Sequence, residues 1–137
     1  MGARDWALVE LDSKRLPNWQ KPQRPRHKRG GGSRAGADPR DLALADQIVA
    51  GVVKNLLLLQ HLIGRWSGRN LKSVDELVQK VLAVALYQVR FLDRIPAHAA
   101  VNEAVEQCRR FGRERAAGFV NAVLRKALRE PEVELPS

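Results

Sequence analysis

At 137 residues the chain is sized for one domain with a real core, and 45% hydrophobic content with only 5% aromatics points to aliphatic helix packing. No apolar run approaches the roughly 18–20 residues of a bilayer span, and the start MGARDW has neither a signal-peptide apolar region nor the Ser or Thr of a myristoylation signal. The expectation is a soluble, cytoplasmic protein with no membrane partner. Its net charge of +9 is concentrated: Lys14, Arg15, Lys21, Arg24, Arg26, Lys28, Arg29 and Arg34 give eight positive charges between residues 14 and 37, where no acid occurs, and the other 16 basic against 15 acidic residues leave +1.

In chain order, Trp6, Ala7, Val9 and Leu11 suggest a short first helix over roughly 3–13. The basic segment KRLPNWQKPQRPRHKRGGGSRAGA follows at 14–37, with three prolines, a triple glycine and no apolar periodicity, so it reads as a flexible or extended loop. Neutralising phosphates releases condensed counterions whatever the base sequence, which suits such a run, with its interleaved Trp19 and His27, to RNA. A merely solubilising segment is the plain alternative.

Asp38-Pro39 is an N-cap followed by proline at the first helical position, and Ala45, Ile48, Val49, Val52, Leu56, Leu59 and Ile63 keep a helical period, predicting one long helix over 39–66. Gly51 inside it suits a close helix crossing or a slight bend. SGRN at 67–70 is a turn, and Ser73 with Glu76 forms a capping box for a helix through Leu92 whose stripe is Val74, Leu77, Val78, Val81, Leu82, Ala85 and Val89. RIP at 94–96 is a corner. Beyond it a helix buries Ala97, Ala100, Val101, Ala104, Val105 and Cys108 and ends at Gly112, and a last helix over 114–129 buries Ala116, Phe119, Val120, Val123, Leu124 and Ala127.

Polar positions are read by helical phase. Asn102 and Asn121 border the apolar arcs of their helices, where an amide locks neighbouring helices together, with direct contact to a ligand as the second reading. Arg115, Arg125, Lys126 and Arg129 fall opposite the apolar arc of the last helix, a second basic surface or simply a solvated face. Glu103 with Gln107 and Glu106 with Arg110 read as i,i+4 neighbours. Catalysis finds no candidate: Cys108 lies at the centre of an apolar face, where cysteine is a small hydrophobe, and His98 sits at a helix start, where capping, a neighbour contact or exposure are its open roles. Nor does any His, Cys and carboxylate set have metal-ligand spacing, and no cofactor is expected.

The run RIPAHAAVNEAVEQCRRFGRERAAGFVNAVLRK at 94–126 resembles the signature of the NusB/RsmB-type RNA-binding domain, and PRDLALADQIVAGVV at 39–53 and VLAVALYQVRFLDRIPAH at 81–98 extend the likeness from Asp38 to Arg129. PAHAAVNEAV and FVNAVLR look most like the N-terminal domain of RsmB/Sun-type ribosomal RNA cytosine-5 methyltransferases. The resemblance implies an all-α bundle, here of about five helices, and an RNA-associated role in ribosomal RNA modification or transcription antitermination. GGG at 30–32 follows a basic loop and not an apolar strand, so an S-adenosylmethionine turn and the catalytic half are not expected. The expected organisation is a single domain over 1–137, with a basic loop at 14–37 and a helical body at 38–130. Ribosomal RNA is the expected partner. The alternative is an adaptor that binds a ribosomal protein or a separate methyltransferase subunit, and a homodimer stays open.

Overall fold

The computed structural model of the chain describes residues 1–20 and 34–130. Six α-helices lie among them: α1 (Ala3–Ser13), α2 (Pro39–Lys54), α3 (Leu56–Ser67), α4 (Glu76–Phe91), α5 (Ala97–Arg110) and α6 (Ala117–Arg129), with short 3-10 turns at Leu71–Ser73 and Glu114–Ala116. The all-α expectation holds. The bundle expected to have about five helices has six among the described residues, because the predicted single helix over 39–66 is two. Asn55 adopts φ −109° and ψ 23° between them, and its Nδ2 donates to the Gly51 carbonyl at 2.9 Å. The Asn55 backbone amide donates to the same carbonyl at 3.0 Å, so side chain and main chain together cap the end of α2, and the chain turns by 80°. No single described helix is long and apolar enough to cross a membrane, and only the bent pair α2 and α3 reaches that length and apolarity.

The start of α4 also differs from the expected capping box. Asp75 is the cap, its Oδ1 accepting from the backbone amides of Leu77 at 2.9 Å and Val78 at 3.2 Å. Ser73 instead closes the preceding 3-10 turn, its hydroxyl donating to the Asn70 carbonyl at 2.7 Å. At the start of α2 the expectation is met, since Asp38 accepts from the Arg40 amide at 2.8 Å with Pro39 at the first helical position.

α4 is the centre of the core. Every residue from Leu77 to Gln88 is buried, so the predicted one-sided stripe is in fact the whole circumference. α1, α2, α3, α5 and α6 all pack against it. Three polar side chains on this helix are buried, and each has a partner, as burial of a polar group demands. Gln79 Nε2 donates to the carbonyls of Leu71 and Val74, each at 2.8 Å; Gln88 Oε1 accepts from Arg4 Nε at 2.6 Å; Lys80 Nζ donates to Asp12 Oδ1 at 2.7 Å.

Gly51 makes the close crossing expected of it. A Cβ built there meets the Tyr87 ring at 2.1 Å, far inside van der Waals contact. Gly51→Ala therefore forces Tyr87 out of its position or α2 away from α4, and the expected loss is about 1–3 kcal/mol of overpacking strain. Chemical denaturation measures it, and the companion change Tyr87→Leu in the same chain recovers part of the loss by opening space. A Gly51→Ala protein as stable as the parent overturns the crossing argument.

The α5 to α6 turn closes as read. Gly112 takes φ 75°, and the Arg113 amide donates back to the Cys108 carbonyl at 2.6 Å. Cys108 is fully buried in the core cluster, and burial pushes its thiol above the ordinary range.

Candidate nucleic-acid interface

The basic segment begins on a clamp, not on free chain. Leu16 and Trp19 pair across a tight turn whose corner is Asn18 at φ 66°, a left-handed conformation that asparagine tolerates. Trp19 is fully buried, and its Nε1 donates to Gln79 Oε1 at 2.7 Å. Asn18 Nδ2 donates to Gln60 Oε1 at 2.9 Å, Gln60 Nε2 to the Pro17 carbonyl at 2.7 Å, and the Gln20 amide to Glu76 Oε1 at 2.6 Å. This corrects the sequence reading, in which Trp19 was an aromatic of the RNA footprint. It is a core residue that pins the segment to α3 and α4. Lys21, Arg24, Arg26, Lys28, Arg29 and His27 lie outside the described residues.

Of the remaining cations in the segment, Lys14 pairs with Glu10 at 3.6 Å and Arg15 is exposed. Arg34 Nη2 lies 2.8 Å from Asp46 Oδ1 of α2, with both side chains largely exposed. An exposed pair of this kind is weak and exchanges readily for another anion.

The last helix keeps its expected polarity. Val120, Val123, Leu124 and Ala127 are buried, while Arg115, Arg125, Lys126 and Arg129 are exposed. Residues 117–129 include three cations, all in the C-terminal part of α6, and no carboxylate, so that part of its outer face is positive. Arg125 Nε donates to Asn121 Oδ1 at 3.2 Å within the same helix, a neutral partner that leaves the charge in place. At the start of α6, the Arg69 guanidinium lies 5.0 Å from the centre of the Phe119 ring, which adds a cation from the far end of α3 to that surface.

Sequence reasoning missed Arg109 and Arg113 at the α5 to α6 turn, beside the expected Arg115. Arg109, Arg113 and Arg115 line a groove of about 510 Å³ together with Asp75, Val78, Gly112, Glu114 and Ala116. Arg113 Nε donates to Asp75 Oδ1 at 3.1 Å, and Arg109 pairs with Glu106 at 2.5 Å. The expected Glu106 and Arg110 pairing is not made, because Arg110 turns to α1. It bonds Asp5 at 2.9 Å and also Glu103, and Gln107 Nε2, expected beside Glu103, donates to Asp5 at 3.0 Å. Its hydrogen bond to the Asp5 carboxylate raises the Arg110 guanidinium above its ordinary range, so Arg110 is a charged tie between α5 and α1. The run RRFGRER held the signal, since a glycine turn gathers arginines from both sides of it.

The two asparagines do not act as predicted. Asn102 is exposed and Asn121 meets Arg125 of its own helix, so neither amide ties two helices together among the described contacts. Border phase was misleading because the buried arcs of α5 and α6 are filled by small and aliphatic side chains that leave the border wet. The ties between helices come from Asp5, Lys80 and Gln88 instead, while Gln60 and Gln79 hold the clamp. His98 is exposed at the start of α5, and among the described residues no group of three or more His, Cys, Asp or Glu side chains is placed to hold a metal.

The NusB family sequence profile matches residues 9–129, all but the ends of the chain. The chain belongs to the NusB family. It is 38% identical over 105 residues to the transcription antitermination protein NusB of Desulforudis audaxviator, a match that covers 74% of each protein. It is 40% identical over 94 residues to the ribosomal RNA small subunit methyltransferase B of Xanthomonas campestris, covering 69% of this chain and 21% of the methyltransferase. The NusB of Stenotrophomonas maltophilia strain K279a is 33% identical over 87 residues, 64% of this chain and 55% of that protein. The chain thus spans about three quarters of one NusB relative and about a fifth of the methyltransferase relatives. The NusB-type bundle and the likeness to both groups of proteins are as the sequence motifs implied.

Proposed function

We propose that this NusB-family chain is a non-catalytic RNA-binding module that acts in transcription antitermination or in ribosomal RNA modification, holding RNA mainly through its phosphates. The observation that carries the reading is the outer face of α6, where Arg125, Lys126 and Arg129 are exposed and no carboxylate occurs over residues 117–129. Arg115 and the turn arginines line a separate groove beside the N-terminus of α4. Such a surface favours a polyanion and positions it without reading base edges. The names of the relatives agree with both settings, antitermination for the NusB proteins and ribosomal RNA modification for the methyltransferases.

The test is binding to single-stranded RNA as a function of salt. Replacing Arg125, Lys126 and Arg129 together by Gln removes three charges from exposed positions and leaves the core untouched, so the fold is expected to persist by circular dichroism. The slope of log affinity against log salt should become shallower by about 2, at roughly 0.7 per lost phosphate contact. An unchanged slope removes α6 from the interface.

A second reading has its own observation. At the α2 to α3 bend Leu57 is 69% exposed and Val53 38% exposed, beside a groove of about 370 Å³ that Leu16, Pro17 and Leu58 also line. An apolar corner of this kind suits a protein partner, such as a ribosomal protein or a methyltransferase subunit, in an adaptor role. Salt-tolerant binding to a protein, lost on Leu57→Asp with RNA binding intact, supports the adaptor.

A further inference from the structure

We propose that the corner where α2 meets the end of α4 is a stacking platform for one unpaired base of a single-stranded RNA, with Phe91 as the platform and Arg94 as the phosphate contact beside it. The proposal rests on the RNA-binding reading above. It adds a site that none of the basic-surface arguments contains.

Phe91 is the last residue of α4 and is 43% exposed, in a helix otherwise buried for most of its length. Its ring lies 5.4 Å from the Tyr87 ring, centre to centre, with the planes only 23° apart. Tyr87 is itself buried and held against Gly51 by the close crossing of α2 and α4. One face of the Phe91 ring is therefore backed by a fixed aromatic, while the residue keeps 43% of its surface exposed. A ring fixed from behind and partly exposed loses little conformational freedom when a third ring joins the stack.

The surroundings select a nucleobase over an apolar protein surface. A protein contact of useful strength is built around a wider apolar area, whereas Phe91 is a lone ring among polar and charged groups. Arg90, Asp93 and Arg94 are its neighbours in the chain, and Arg90 lies over the Trp66 ring, 5.9 Å from its centre. Arg94 Nη2 donates to Gln47 Oε1 of α2 at 2.8 Å, a neutral acceptor that orients the guanidinium without cancelling its charge. Asp93, exposed, is the acid of this turn. Asp46, the residue before Gln47 on α2, holds Arg34. The two arginines thus lie against the outer face of α2, where Ala43, Gln47 and Ala50 are exposed. A basic surface beside an exposed aromatic ring is the combination from which sequence-tolerant single-strand sites are made.

The experiment uses the full chain and a short single-stranded RNA with a fluorescent adenine analogue at one position, whose emission falls when the base stacks. Phe91→Leu keeps an apolar side chain over Tyr87 and removes the aromatic face, and Phe91→Tyr keeps the face. The expected result is quenching by the parent and by Phe91→Tyr, little quenching by Phe91→Leu, and an affinity about tenfold or more weaker for Phe91→Leu, at the scale of one base on one aromatic ring. Its salt slope should not change, because no charge is lost. If the parent binds RNA with a steep salt dependence and Phe91→Leu binds as tightly and quenches as strongly, the platform is wrong while the RNA reading stands. If the parent binds no RNA at all, both fall together.

Discussion

Asp12→Ala is expected to destabilise the protein by about 3–5 kcal/mol, a loss comparable with the whole stability of a small domain. Lys80 is fully buried at the centre of α4, and its ammonium lies 2.7 Å from Asp12 Oδ1, with the Trp19 ring centre at 5.6 Å. Removing the carboxylate strands a buried cation among aliphatic neighbours, and the nearby ring returns only a fraction of the lost interaction. The reverse truncation is milder. Lys80→Met leaves Asp12 near the surface, 14% exposed, where water reaches it, and fills the core with a side chain of similar length. The double change Asp12→Ala with Lys80→Met should recover most of the stability, since a buried ion pair replaced as a pair by apolar groups is often neutral. Asp12 also lies in the last turn of α1, where the helix dipole disfavours an anion, so the lysine offsets two costs at once. Urea unfolding of the four proteins gives the ordering, and an Asp12→Ala protein within about 0.5 kcal/mol of the parent would show that the pair is not what holds α1 to α4.

Why this pair escaped the sequence, while the helices did not, follows from the range of each signal. The bounds of α1, α5 and α6 depend on residues a few positions apart, and periodicity, Pro96 and Gly112 carry that information. The basic face of α6 is equally local, because one helical phase places Arg125, Lys126 and Arg129 together. The break at Asn55 is local too, but Val52, Leu56, Leu59 and Ile63 keep their spacing through it, so the apolar period continues across an 80° bend. Lys80 within VQKVLAVAL reads as an exposed interruption until α1 is known to cover it, and its partner lies 68 residues away. Trp19 is the extreme case, a lone aromatic in a polar run whose burial depends on Gln79, 60 residues on. The groove of Arg109, Arg113 and Arg115 stands between these limits, since the run is visible but its approach to Asp75 is a tertiary fact.

The clamp at Trp19 sets the terms for testing the basic segment, because two replacements that look alike should behave differently. Exchanging residues 14–37 for a Gly/Ser linker removes eight positive charges together with Leu16, Pro17 and Trp19, and loss of a buried tryptophan alone costs about 3–5 kcal/mol. It also strands Gln79 Oε1 and Gln60 without their partners. That protein should unfold early, and a fall in its RNA binding would say nothing about charge. Exchanging only 21–33 keeps the clamp and the Arg34 pair with Asp46, and removes Lys21, Arg24, Arg26, Lys28 and Arg29, taking the net charge from +9 to +4. The helices should then persist by circular dichroism with the melting temperature nearly unchanged, while the slope of log affinity against log salt becomes shallower by up to about 3.5, at roughly 0.7 for each of five phosphate contacts on a single strand. The weakening should be similar for unrelated RNA sequences, since phosphate contacts do not discriminate bases. If the shorter exchange leaves both affinity and slope as they were, the segment is a solubilising insert and the whole electrostatic interface rests on α6 and the turn arginines. If it instead lowers the melting temperature as far as the longer exchange does, residues 21–33 are bound into the fold.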